Sequence, residues 1–178
     1  MVLAIAVAAL GYFVDVFDIL LYGIVRVQSL RDLGVPAAAQ LETGVSLLNW
    51  QNAGLLIGGV LFGLWGDRSG RRSVLFGSIL LYSVANLVNA AVTSVELYRA
   101  CRFLAGLGLA GELGAGVVLV AELMPTQVRG YGTAIIATFG FCGGLVAPLV
   151  GGLPWRTAYV VGGVAGLVIL VLRLAVQE

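Results

Sequence analysis

The chain has 178 residues, of which 60% are hydrophobic and only 11% charged, with a mean hydropathy of +1.04. This lies far outside the range of soluble domains. A net charge of +1 implies neither nucleic acid nor an acidic surface as a partner. All ten basic residues are arginine and there is no histidine, so the commonest zinc ligand and the usual general base are both missing. No cofactor and no metal are expected: Cys101 and Cys142 lie in apolar runs without CxxC spacing and read as small hydrophobes.

A bilayer core of about 30 Å takes about 20 apolar helical residues, and lipid leaves no unpaired backbone, so apolar runs of that length are helices. Six runs qualify: Val2–Val25, Gly44–Trp65, Ser73–Thr93, Tyr98–Ala121, Gly130–Gly151 and Thr157–Leu174. The first lacks the basic leader of a signal peptide, is too long for one, and carries Asp15 and Asp18. After it, the connection Arg26–Thr43 holds Pro36 and an Ala-Gln-Leu-Glu segment that predicts a short interfacial helix. The second and third runs are joined by a polar turn, Gly63-Leu-Trp-Gly-Asp67-Arg68-Ser-Gly70-Arg71-Arg72. Positive-inside counting gives five arginines on that side (Arg68, Arg71, Arg72, Arg129, Arg173) and three on the other (Arg26, Arg31, Arg156). Both termini are therefore expected in the cytoplasm of a multi-pass protein of the cell membrane.

The expected fold class is an all-α membrane protein, a single domain over residues 1–178. A shift of 85 residues aligns Gly23 with Gly108, Gly58-Gly59 with Gly143-Gly144, and Gly77 with Gly162. This suggests two three-helix units, about 1–93 and 98–178, the second inverted because three is odd. Small-xxx-small pairs (Gly54/Gly58, Gly59/Gly63, Gly140/Gly144, Gly162/Gly166) favour close helix packing.

An ionisable residue inside a span costs about 2.5–3.5 kcal/mol on insertion scales and usually faces a partner or a cavity. Asp15 and Asp18 share one face of the first span, and Arg102 and Glu112 lie in the fourth. At about 1.5 Å per residue, Asp18 and Arg102 reach similar depths, which makes them expected partners. Asn49, Gln51, Asn52 and Asn86 enter at a comparable level, and together they predict one polar layer lining an aqueous cavity. A structural ion pair with asparagine glue is the competing reading of the same residues. Glu112 lies deeper and reads equally as a structural or a functional group.

Four segments resemble the amino-terminal half of a major facilitator superfamily transporter. The turn from Gly63 to Arg72 is similar to that family's signature loop, where Gly63 implies close helix approach, Gly70 the turn, and Asp67 a helix cap or an anchor for Arg68, Arg71 and Arg72. Arg102-Phe-Leu-Ala-Gly106-Leu-Gly108 resembles a fourth-helix pattern whose arginine is linked to proton coupling. Glu122-Leu-Met-Pro125-Thr-Gln-Val-Arg129-Gly130 looks like the loop after that helix in sugar porters and metabolite:proton symporters, with Glu122 and Arg129 as gate residues. Phe17-Asp18-Ile-Leu-Leu-Tyr22-Gly23 is similar to the acidic first-helix segment of aromatic-acid symporters.

The resemblance implies secondary transport, proton-coupled through Asp18 and Arg102 with Asp15 nearby. Arg102, Asn49, Gln51, Asn52 and Asn86 would contact a small polar or anionic metabolite. Members of that family have twelve helices, so the expectation here is a parallel homodimer of six-helix units, in contact with membrane lipid and with no nucleic acid. A non-transporting amino-terminal domain needing another half, an uncoupled uniporter and an intramembrane aspartyl enzyme are the alternatives. The last is disfavoured because Asp15 and Asp18 sit on one helix.

Overall fold

A computed structural model describes the backbone of residues 2–123 and 129–176, and their side chains except those of 2–8, 71–72, 113–123, 129, 173 and 176. The described residues form six α-helices: α1 (Val2–Asp32), α2 (Gln40–Ser69), α3 (Arg71–Asn89), α4 (Val95–Leu123), α5 (Arg129–Gly151) and α6 (Trp155–Val176). By length and composition, Ala37–Ser69, Gly130–Gly151 and Trp155–Leu172 are apolar enough to cross a membrane. The buried polar residues of the bundle lie mainly on α1, α3 and α4: Asp15, Asp18 and Ser29, then Ser78, Ser83, Asn86 and Asn89, then Arg102 and Glu112.

The helix ends differ from expectation in two places. α1 does not stop near Val25 but continues two turns to Asp32, because Ser29 and Leu30 are still packed inside the bundle. It ends at Gly34 (φ 75°), with Val35 N–H donating to the Leu30 carbonyl and Gly34 N–H to that of Arg31. That bond pair is a Schellman close, with glycine supplying the left-handed residue and Pro36 following. The Ala-Gln-Leu-Glu segment is no separate interfacial helix. A 3₁₀ turn, Ala37–Ala39, leads into Gln40, which already starts α2. The second difference is the signature turn, which contracts to the single residue Gly70 (φ 84°, ψ 150°) between α2 and α3. This region of backbone space is essentially reserved for glycine.

Helix pairing follows where backbones can touch. Contacts run α2–α4–α1–α5 in a row, and the α3–α6 pair lies against its middle, α3 on α4 and α6 on α1. At the α2–α4 crossing, a methyl group on Gly54 would strike the Phe103 carbonyl, and one on Gly106 the Gln51 carbonyl. The α1–α5 crossing is alike, with Gly143 against the Phe13 carbonyl and Gly140 against Tyr12. Such contacts let two backbones approach closely, the source of dispersion energy between helices in lipid. Gly59 and Gly63 are the exception: both face open space, so the close approach expected at Gly63 occurs instead at Gly54 and Gly58.

The distribution of polarity is that of a membrane protein. Asp15, Asp18, Arg102, Asn86 and Asn89 have no exposed surface, whereas Leu56, Leu145 and Leu149 are 74–77% exposed. Water would punish that arrangement, but lipid solvates the leucines and the bundle interior shields the charges.

Candidate functional site: a buried guanidinium where four helices meet

Arg102 lies at the junction of α1, α3, α4 and α6. Seven residues past the start of α4, it sits roughly 10 Å along the helix. Its Nη1 donates to Asp18 Oδ2 of α1 at 3.4 Å, and its Nη2 donates to Asn86 Oδ1 of α3 at 2.6 Å. Asn89, one turn further along α3, brings its carboxamide to the same group; with its oxygen and nitrogen assigned so that the oxygen faces the guanidinium, it accepts from Nη2 at 3.0 Å and from Nε at 3.3 Å. Two aromatic faces complete the surroundings, Tyr159 of α6 at 4.8 Å and Tyr22 of α1 at 5.6 Å from the guanidinium carbon. Both the arginine and the aspartate are fully buried.

The tyrosines are themselves anchored. Tyr22 donates its hydroxyl to the Gly44 carbonyl at 2.7 Å, tying α1 to α2. Tyr159 and Tyr98 share a hydroxyl bond of 2.7 Å, and Tyr98 meets Ser29 at 3.2 Å. Trp155 stacks on Tyr98 and donates its indole N–H to Asp32 Oδ2 at 2.6 Å, joining the ends of α1 and α6. Arg156 adds a bond to the Ala90 carbonyl at 2.7 Å, which brings in the end of α3.

The polar residues singled out from sequence divide into two groups. Asp18, Arg102 and Asn86 come together, and Asp15 is buried one turn from Asp18 on the same helix. Asn49 and Asn52, by contrast, are exposed on α2. Asn49 lines an open surface concavity of about 390 Å³ with Glu42, Ser46 and Trp50, away from the guanidinium. Gln51 is buried at the α2–α4 crossing, where its backbone carbonyl occupies the space a side chain on Gly106 would need. The single cavity-lining layer expected from depth alone is therefore not formed in this conformation: α2 turns its asparagines away from the junction. Depth along a helix says nothing of which way a residue faces.

In the signature turn, Asp67 belongs to the last turn of α2 and does not cap α3, whose N-cap is Gly70. Gly63, Asp67, Arg68 and Gly70 are all exposed. The side chains of Arg71, Arg72, Glu122 and Arg129, and the segment 124–128 containing Pro125, lie outside the described residues. Glu112 is 5% exposed on α4. Sequence reading missed Tyr22, Asn89, Tyr98 and Tyr159. Three of these carried a signal: Tyr22 and Tyr98 stand four residues from Asp18 and Arg102, and Asn89 three from Asn86, the spacings that share a helix face.

A six-helix bundle that buries an acid–guanidinium couple and exposes its leucines is a membrane protein. The family model of the Major Facilitator Superfamily matches residues 4–178, and the chain belongs to that superfamily. It is 30% identical over 178 residues to the niacin transporter NiaP of Acinetobacter baylyi, covering 97% of this chain and 39% of that protein. To the 4-hydroxybenzoate transporter PcaK of Pseudomonas aeruginosa it is 29% identical over 167 residues, covering 91% and 36%. The xylose transporter XylE of E. coli, in a partially occluded inward-open conformation, superposes with a TM-score of 0.82 at 20% identity, over 96% of this chain and 48% of that one. The chain thus spans less than half the length of these relatives.

Proposed function

We propose that the chain forms the amino-terminal half of a proton-coupled carrier for a small organic acid. The observation that carries this reading is the Asp18–Arg102 contact at 3.4 Å, fully buried, in a member of a transporter superfamily. A buried carboxylate beside a guanidinium is held between two opposing influences. The cation favours its charge and desolvation favours the neutral acid, so a modest rearrangement moves a proton on or off. Because no surface of either side chain is exposed here, proton exchange requires a conformation in which the junction opens to water. The relatives named for niacin and 4-hydroxybenzoate support the substrate class, since both compounds are aromatic carboxylic acids. Xylose, named for the XylE neighbour, is uncharged, so the fold alone supports no particular substrate.

The packing supports two inverted three-helix repeats. Exchanging α1 with α4, α2 with α5 and α3 with α6 converts the α2–α4 crossing into α5–α1 and leaves α3–α6 in place, and these are among the pairings observed. An even number of spans puts both ends of the bundle on one side, the cytoplasm in this reading. A second six-helix unit then stands parallel to the first and encloses the substrate between them. In the dimeric form of the reading that unit is another copy of this chain, related by a two-fold axis. Chemical cross-linking in membranes tests it: dimers are expected, and monomers alone reject it.

Transport is tested in proteoliposomes with labelled niacin and 4-hydroxybenzoate under an imposed proton gradient. Asp18→Asn is expected to abolish gradient-driven accumulation while sparing exchange of labelled for unlabelled substrate. Undiminished accumulation in that variant rejects Asp18 as the proton carrier. If neither compound moves in the unmodified chain, the reading of a non-transporting domain that needs a different second half gains the ground.

A further inference from the structure

If Asp18 takes up and releases a proton, as proposed above, the buried guanidinium beside it must remain charged when its acid partner is neutral. Asp18 is in fact the most distant of the oxygen acceptors of Arg102, at 3.4 Å against 2.6 Å for Asn86 and 3.0 and 3.3 Å for Asn89. The asparagine oxygens and the two ring faces carry no titrating charge at neutral pH, and they surround the cation from α1, α3 and α6.

Tyr159 is held in its position by a chain of hydroxyls whose direction is fixed at one end. Ser29 donates to the Arg26 carbonyl at 2.9 Å, and a carbonyl only accepts. The Ser29 oxygen is then the acceptor for Tyr98 at 3.2 Å, and the Tyr98 oxygen the acceptor for Tyr159 at 2.7 Å. Every hydroxyl proton of the series is thus taken up by the next oxygen toward the Arg26 carbonyl, and the guanidinium lies over the Tyr159 ring. The Tyr22–Gly44 bond fixes the second ring in the same manner.

We infer that Tyr22, Asn86, Asn89 and Tyr159 are positioning residues, a cage that holds Arg102 off Asp18 so that the acid changes protonation while the guanidinium stays in place. The inference rests on the proton-carrying role proposed for Asp18. Ring faces and amide oxygens attract a desolvated guanidinium whatever the state of Asp18. With part of the cage removed, the guanidinium closes onto the carboxylate as a bidentate pair, which favours the ionised acid. The other ionisable groups around Asp18 are Asp15 and Tyr22 of α1, Tyr82 of α3, Tyr98 of α4 and Tyr159 of α6. Glu112 lies within electrostatic reach of Tyr82. On the flanking helices, Glu42, Asp67 and Arg68 of α2 and Tyr131 and Cys142 of α5 are exposed.

The test is infrared titration of the purified full chain in lipid, reading the protonated-carboxyl band that disappears in Asp18→Asn. Tyr159→Leu, which removes the ring and adds no charge, is expected to move the appearance of that band about one pH unit toward acid, about tenfold in proton affinity. Tyr159→Phe keeps the ring and should move it less. Asn89→Leu should move it in the same direction as Tyr159→Leu, and serves in its place if that variant does not fold. An unmoved band, a shift toward alkali, or no band assignable to Asp18 at any accessible pH overturns the cage. Failure of the proton-carrier reading is seen elsewhere, as gradient-driven uptake that survives Asp18→Asn, so the two are told apart.

Discussion

Removing the guanidinium and leaving the acid is the most severe single change the structure allows at the junction. In Arg102→Met the stem is replaced by one of similar bulk, and Asp18, with no exposed surface, loses its cation. At 3.4 Å and an effective dielectric constant of about 20, the direct attraction is about 5 kcal/mol. Breaking one side of a buried pair costs about 3–5 kcal/mol. The same substitution also frees the oxygens of Asn86 and Asn89, so the loss should fall at the upper end of that range. Double substitution, Asp18→Leu with Arg102→Met, removes both charges and should be at least 2 kcal/mol less damaging than the sum of the two single changes, within the usual range of coupling between contacting residues, about 0.5–3 kcal/mol. The assay is a double-mutant cycle on denaturant unfolding in mixed micelles, run at neutral and acid pH. Acidification should recover part of the loss in Arg102→Met, because protonation removes the lone buried charge, and should do little for the double variant. Additive effects without pH dependence would refute the claim that the pair interacts inside a dry bundle.

Four further outcomes follow from particular contacts. Gly106→Ala places a methyl against the Gln51 carbonyl and should destabilise the bundle by about 1–3 kcal/mol in the same unfolding assay. Gly63→Ala meets open space and should stay within about 0.5 kcal/mol of the unmodified chain. Gly70→Ala forces a side chain into a backbone region of φ 84° and ψ 150°, at a cost of about 1–3 kcal/mol, and should raise proteolysis at the α2–α3 turn. Trp155→Phe removes the indole donor to Asp32 but keeps an aromatic ring beside Tyr98. A loss of about 1–2 kcal/mol is expected, smaller than for a sealed site because Asp32 is partly solvated, with faster amide exchange at the joined ends of α1 and α6.

Some of this molecule is written plainly in its residues. Six apolar runs give six helices, since a backbone in lipid has no other way to satisfy its own polar groups. The pairing of Asp18 with Arg102 could be expected from matching depth together with opposite charge, because two charges too costly to leave in hydrocarbon have few places to go. Gly70 could be read as a turn because two helical segments meet there around a residue without a side chain. The extension of α1 to Asp32 was hidden: hydropathy ends near Val25, while the packing of Ser29 and Leu30 carries the helix on. The cage was hidden as well, since tyrosines inside an apolar run look like core until their hydroxyls find partners on other helices.

Composition and spacing thus determine a polytopic helical membrane protein with an acid and a guanidinium at matching depth. They do so because the energies involved, burial of backbone and of charge, depend on a residue's distance from water and little on its neighbours. Only the tertiary structure decides that Asn86 and Asn89 turn inward while Asn49 and Asn52 turn outward, and that Gly54 rather than Gly63 lies at a crossing. Rotation of a helix about its own axis is set by which partner it packs against, and that choice is made jointly by all six.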